Sequence, residues 1–474
     1  MSNKLFGKVS IVGVTDCGEK ICSAGGRIST LSGNADEILA KSEDPVKNAK
    51  LIEKVTSSGH TSVTEHIYFN LSFCDVSVLV EQFMIEFRLA AYTVKSRRYV
   101  DFSDAGYCVP EFENENLREI FCENCNNLFK SYSELLDLGI KKEDARFVLP
   151  YSFRSNFLCS LDGRELLHVI EAMLYGRGRN YPEIRELGES LLAQAKKFAP
   201  GIYEKAFENK SAVNDVVDFS DICGESVSDE KQKNAVELIS YSSDADLSVA
   251  RAALVNYSGK TDEEIAEILK DEKSLDEVIK RTVASSRGRE LEHISFTFRL
   301  NDISLASITH LVRHRIHSVN IPQLYNVNKK KYIIPAQVRE NETALKIYVS
   351  AFEKNIEACE KLSKAGVDKY TLAYLDLAGN TLDVVSTMNG RQLVHFLCLR
   401  TCNRAQWEIR EYAVEMLYLL RQVAPKVFSY CGPTCFCRGK CPEGRLTCGE
   451  MIKIKSDFSE NFQAFYNDGL YKHN

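Results

Sequence analysis

The sequence predicts an α+β protein built from two tandem copies of one domain, each a mixed β-sheet with long helices. Three observations carry this. The chain has 474 residues, too many for one ordinary hydrophobic core. A strand-then-helix pattern occurs twice in one register: His66 and His293, Asp75 and Asp302, and Arg88 and Arg315 are each 227 positions apart. Helical segments outnumber strands in both halves.

The repeat begins at a strand. After Glu65-His66, Ile67, Phe69, Leu71 and Phe73 alternate with Tyr68, Asn70 and Ser72. After Glu292-His293, Ile294, Phe296, Phe298 and Leu300 alternate with Ser295, Thr297 and Arg299. A period of two marks a half-buried strand. Each strand is expected to lead into a helix opened by Asp75 or Asp302 near its N-cap, with Leu305, Ile308, Leu311 and Val312 at helical spacing in the second. Val9-Ser-Ile-Val-Gly pairs with Val236-Glu-Leu-Ile-Ser, Gly163-Arg164 with Gly390-Arg391, and Glu183-Ile-Arg185 with Glu408-Ile-Arg410. Further helices are expected at about 116–137, 164–175 and 183–197, and at about 341–364, 391–400 and 405–423. The division is then a first domain over 1–208, a polar linker over 209–232, a second domain over 233–430 and a Cys-rich tail over 431–474.

Composition bounds the function. Hydrophobic residues at 44% and charged residues at 27% are those of a globular protein. Sixty basic against sixty-six acidic side chains leave a net charge of -6, so no global field favours nucleic acid or an anionic membrane. No run of about 18 apolar residues is present, and the start of the chain lacks a signal-peptide pattern, so a cytoplasmic chain is expected. The sixteen cysteines are read as reduced thiols, since disulfide scaffolds are short and secreted. Cys122 and Cys125 read as packing residues. The tail group Cys431, Cys435, Cys437, Cys441 and Cys448 lies among Gly and Pro turns. It reads either as a structural zinc site or as free or redox-linked thiols. His66 and His293 read as structural caps or core histidines, and Trp407 as core.

The densest chemistry is Arg313-His314-Arg315, followed by Ser318 and Asn320. Two guanidiniums around an imidazole at a helix end make an anion site, because arginine forks match phosphate oxygens bidentately. The plainer reading is a solvated basic helix end running on to Lys329-Lys-Lys331.

These residues resemble the signature of flavin-dependent thymidylate synthases, Arg-His-Arg followed after seven residues by Ser. The stretch from Phe396 through Arg400 and Ala405-Gln-Trp to Arg410 is similar to that family's other diagnostic segment, and His60 to His66 and Gly139 to Pro150 resemble further ones. The resemblance implies a transferase that reductively methylates dUMP to dTMP, with methylenetetrahydrofolate giving the carbon and NADPH the hydride through FAD.

The departures from the pattern are complementary. Where the family carries Ser and Arg, the second copy has Gln323 and Tyr325, whereas the first keeps Ser96 and Arg98. The first copy has Glu86-Phe87-Arg88 in place of Arg-His-Arg. It keeps Arg27, Ser29, Ser62 and Glu65 opposite Leu254, Asn256, Arg289 and Glu292, and Arg146 opposite Tyr374; the second keeps Arg400 opposite Met173. The resemblance then implies flavin contacts from Arg313, His314 and Arg315 with Ser29, Ser62, Glu65, Asn320, Asn389, Arg391 and His395. It implies nucleotide contacts from Ser96, Arg98, Arg146 and Arg400, with Arg400 and Arg313 as the catalytic pair. Composite sites from unlike halves, in a homodimer imitating the family's homotetramer, would follow. Two departures affect both copies or the diagnostic stretch: Ile321 and Val94 replace the family's acidic residue, and Arg404 replaces its His. A non-catalytic nucleotide- or flavin-binding regulatory protein and a flavoenzyme for another pyrimidine nucleotide are the rival readings.

Overall fold

Alternating side chains set the strands, and the computed structural model shows how they pair. It describes residues 6–208, 210–213, 215–217, 219–223, 234–469 and 471–472. Much of the expected linker over 209–232 therefore lies outside the described residues. Two compact units result, the first holding the first repeat together with residues 337–378, the second holding residues up to 336 and from 379 onward.

In the first unit β1 (Lys8–Val14), β2 (Tyr68–Ser77), β3 (Ala91–Val94) and β4 (Arg154–Asp162) form an antiparallel sheet of order β1-β2-β4-β3. The second unit repeats it with β5 (Val236–Tyr241), β6 (Ser295–Ser304), β7 (Ser318–Asn320) and β8 (Thr381–Asn389) in the order β5-β6-β8-β7. The register is the same: Phe69 faces Leu161 and Phe73 faces Phe157, while Phe296 faces Met388 and Leu300 faces Val384. Phe69, Leu71 and Phe73, and Phe296, Phe298 and Leu300, are all buried, as the alternation requires.

The expected caps are displaced by two residues. Both central strands run on through Asp75 and Asp302, which sit in the left-handed region (φ 55° and 53°) where the ladder shifts register. Aspartate tolerates that conformation, so it supplies the bulge and not the cap. The helices Val78–Ile85 and Leu305–Leu311 are capped by Ser77 and Ser304, whose hydroxyls accept from Val80 N (3.2 Å) and Ser307 N (3.1 Å). A buried carboxylate completes each: Glu183 accepts from Ser77 N at 2.9 Å and Glu408 from Ser304 N at 2.7 Å.

The six further helices fall at Glu115–Asp137, Gly163–Leu174, Pro182–Phe198, Glu342–Lys364, Gly390–Arg400 and Trp407–Val423. The fourth packs in the first unit. Its buried Tyr348 and Phe352 share that core with Leu117, Phe121 and Leu128 of the first helix, and Asn124 Nδ2 donates to Asn355 Oδ1 at 2.8 Å. Burying such large apolar side chains contributes roughly 2 kcal/mol each. The segment after it pairs with the chain at Leu149–Ser152, with Tyr151 N donating to Asp376 O (2.7 Å) and Ser152 N to Tyr374 O (2.8 Å). In the second unit the tail is core: Phe458, Phe462, Phe465 and Tyr471 are buried, and the Arg421 guanidinium lies over the Phe462 ring at 4.0 Å. Among the described residues no helix is long and apolar enough to cross a membrane.

Candidate functional site

The Arg-His-Arg segment follows the helix Leu305–Leu311 and runs into β7, so its cations lie at the negative end of a helix dipole. Arg313 and Arg315 are exposed, whereas His314 is only 4% exposed. His314 Nε2 accepts from Arg400 Nε at 2.9 Å, and the rings of His395 and Phe396 stand 5.6 and 4.9 Å away, all from the helix Gly390–Arg400. Burial, reinforced by the charge of Arg400, pushes the His314 pKa down to about 2. The ring is therefore neutral near pH 7. With Nε2 accepting, its proton sits on Nδ1, a buried donor with no partner among the described residues. His395 is also lowered, mainly by burial. The result is two outward cations flanking a neutral, clamped imidazole.

Asn320 ends β7 and is exposed. Asn389 caps the helix Gly390–Arg400, its Oδ1 accepting from Gln392 N at 2.8 Å, and Arg391 pairs with Glu292 at 2.5 Å. The same pair recurs in the first unit as Arg164 with Glu65 at 2.7 Å. There Ser29 sits exposed at the end of the helix Glu19–Ile28 and Ser62 exposed in the turn Thr61–His66.

The first unit gathers the other arginines. Ser96 Oγ accepts from Arg98 N at 3.3 Å, and Arg98 pairs with Glu143 at 2.9 Å. Arg146, 3% exposed, donates from Nε to Glu143 O at 3.0 Å, and its Nη2 is buried without a partner among the described residues. Burial, then the charge of Arg97, lowers its pKa to about 10. Arg97 itself is buried against Glu81 at 2.5 Å. Arg97, Arg98 and Arg146 thus gather around Glu81 and Glu143, with Asp144 near Arg146, and an incompletely bonded buried guanidinium is costly unless an anion joins it. Glu81, Arg97 and Glu143 were not anticipated, although Arg97 lies between two predicted residues and Glu143 inside a quoted stretch.

At the first-copy counterpart of Arg-His-Arg, Glu86 is bound by Arg177, whose guanidinium lies over Phe83 and Phe87 at 4.7 and 5.2 Å. His168 stands edge-on to Phe87 at 5.3 Å. At the other counterpart, Gln323 and Tyr325 lie at the turn Leu324–Asn326, and because the turn Ala373–Leu375 repeats Arg146–Val148, Ala373 and not Tyr374 stands opposite Arg146; both are buried.

Several expectations are corrected. The tail cysteines are not gathered around a metal: among the described residues no three His, Cys, Asp or Glu side chains are grouped to hold one. Cys431 is fully buried, with its thiol donating to Val427 O at 3.6 Å, and Cys437 donates to Gly432 O at 3.0 Å. Burial raises the Cys431 pKa, and the hydrogen bond with Cys398, then burial, raises that of Cys437. Cys435 is buried, while Cys441 and Cys448 are partly exposed. His66 and His293 are exposed at the ends of short turns rather than in the core. Trp407 opens its helix half-buried.

Fold and clusters together define a duplicated α+β protein with arginine-rich side-chain clusters. A family model described as "Thymidylate synthase complementing protein" matches residues 10–201 and 237–426, and the chain belongs to that family, with two tandem copies. It is similar to the flavin-dependent thymidylate synthase of Geobacter sulfurreducens, 34% identical over 235 residues that cover 48% of this chain and 98% of that one. The enzyme of the same name from Clostridium tetani is 33% identical over 239 residues, covering 46% and 95%. Among solved structures, a UMP/dUMP methylase PolB from Streptomyces cacaoi bound with 5-Br dUMP matches at 21% identity and a TM-score of 0.37, covering 44% of this chain and 96% of that one.

Proposed function

We propose that this chain reductively methylates dUMP to dTMP, using FAD, NADPH and methylenetetrahydrofolate. The observation that carries the reading is the neutral His314, clamped by Arg400 between two exposed guanidiniums, with a buried Nδ1 proton left to donate. That donor set suits a flavin, whose diphosphate takes arginine forks and whose ring takes neutral donors. Arg313, His314 and Arg315 would hold it, with Asn320, Asn389, Arg391 and His395 from the same copy and Ser29, Ser62 and Glu65 from the other. FAD supplies hydride transfer when bound. The substrate phosphate is assigned to Ser96, Arg98 and Arg146, where the partnerless Nη2 of a buried guanidinium favours an anion. Arg400 and Arg313 act by placing and polarising the pyrimidine, not by moving protons, since a guanidinium stays charged. The reaction needs both copies, and the working form is a homodimer of duplicated chains.

The test starts from the visible spectrum of the purified protein and dUMP-dependent dTMP formation. Flavin bands and turnover are expected, with Ser96→Ala and Arg315→Ala each impaired roughly 30-fold or more, because a charge-assisted phosphate contact contributes about 2 kcal/mol. Chains carrying one lesion each, co-expressed, should recover part of the activity if a working site draws on two chains. Full activity in both single variants overturns the site assignment. A colourless protein that FAD cannot reconstitute points to a regulatory homologue, and turnover of a different pyrimidine nucleotide corrects the substrate.

A further inference from the structure

Apart from these clusters, the second unit carries a cleft of about 690 Å3 lined by Ser248, Arg251, Asn256, Arg287, Arg289 and His293. It lies along the helix Ala245–Ser258 and the turn Arg289–His293, and Ala252 and Val255 add apolar surface. The volume is that of a small-molecule site. All three arginines are exposed, and none of their guanidiniums makes a hydrogen bond or ion pair among the described residues. The cleft's one carboxylate, Glu290, instead accepts from Asn256 Nδ2 at 3.2 Å.

The repeat shows that this charge is particular to the second copy. Ala24, His60 and Ser62 occupy the equivalent positions of the first. The first copy's own arginine on that helix, Arg27, is tied down by Ser23 Oγ, Ser42 Oγ and Asn48 Oδ1 at 2.6, 2.8 and 2.9 Å, and the second copy has Leu254 in its place. One internally bonded cation is thus replaced by three that face a concave surface. Three guanidiniums around a single carboxylate leave positive charge in excess, and each fork matches a pair of phosphate oxygens. A chain of two or three phosphates brings the charge that offsets all three, and the apolar wall suits the nucleoside attached to it.

We propose that this cleft, the second copy's counterpart of the Ser29 and Ser62 surface given to the flavin, binds the polyphosphate of a nucleotide at a site sharing no residue with the Arg313–Arg315 cluster. Calorimetric titration of the full chain with dTTP, NADPH and inorganic triphosphate is the test. Binding of dTTP or NADPH is expected, weakening steeply with salt, and falling about 100-fold or more in a triple Arg251→Gln, Arg287→Gln, Arg289→Gln variant that melts like the parent. A second variant, Arg251→Ala with Arg287→His and Arg289→Ser, installs the first copy's residues and should lose binding equally. Inorganic triphosphate binding as tightly as dTTP would support recognition of the phosphate chain itself, and weaker binding would support added recognition of the nucleoside. No binding by any probe, or unchanged binding in both variants, overturns the proposal. Loss of the flavin absorbance in folded variants overturns it too, since the cleft would then belong to the flavin. Failure of the methylation reading leaves these titrations unaffected.

Discussion

The same turn after the same short buried helix carries two exposed arginines around a buried histidine in one copy and an internally paired cluster in the other. In the second, Arg313 and Arg315 point outward around a His314 held by Arg400. In the first, Glu86 takes Arg177, Phe87 fills the place of the histidine, and the guanidinium is spent on a carboxylate and two rings. The backbone does not differ enough to explain this: the strand registers agree residue for residue and both helices are serine-capped. Three side chains, Glu86, Phe87 and Arg177, make the difference at this turn. The arginines around Ser96 show the reverse, with the first copy keeping the incompletely satisfied guanidinium and the second holding Gln323 and Tyr325.

The sharpest way to break this contrast is Arg400→Ala. It removes the donor to His314 Nε2 and a proposed substrate contact, so dTMP formation should fall roughly 100-fold or more, in line with a lost charged hydrogen bond in a preorganised site. The matching Arg177→Ala change in the first copy should lower the melting temperature and leave the rate per folded chain near the parent's. Equal loss of rate in both would show that the closed surface is also functional.

Arg146→Met should separate binding from stability. Replacing a buried, partly bonded guanidinium by an apolar chain is expected to leave stability unchanged or raise it by about 1 kcal/mol, while the KM for dUMP rises roughly tenfold or more, as for loss of a phosphate fork. Denaturant titration and initial rates read the two effects separately. A destabilised variant with an unchanged KM would make Arg146 a structural residue.

A further effect is in pH. The folded pKa of His314 lies far below its ordinary value near 6.5, so the unfolded chain binds the extra proton. The stability this neutral ring provides is present above about pH 6.5 and declines as pH falls toward the folded value. The slope approaches about 1.4 kcal/mol per pH unit well below 6.5. His314→Phe, which installs the first copy's residue, should flatten the dependence of the denaturation midpoint between pH 7 and pH 5. An equally steep variant would assign the slope to other groups.

What the sequence determined by itself was whatever is written in local periods and in the repeat. Alternation placed Phe69 and Phe296 inside and set the strands, and helical spacing located the long helices to within two residues. The Arg-His-Arg and Ser96-Arg-Arg98 segments were legible because they are contiguous. Whether Asp75 or Ser77 caps the helix depended on a bulge that only the paired strand reveals. Five clustered cysteines suggested a metal, yet packing buries Cys431 and Cys435 and turns the thiols of Cys431 and Cys437 toward carbonyls. Glu342–Lys364 packs with the first repeat because its apolar stripe finds that core, and a stripe does not encode its partner. The state of His314 and the partnerless Nη2 of Arg146 likewise belong to the tertiary structure. Desolvation and hydrogen bonding between residues dozens of positions apart are set only when the chain has folded.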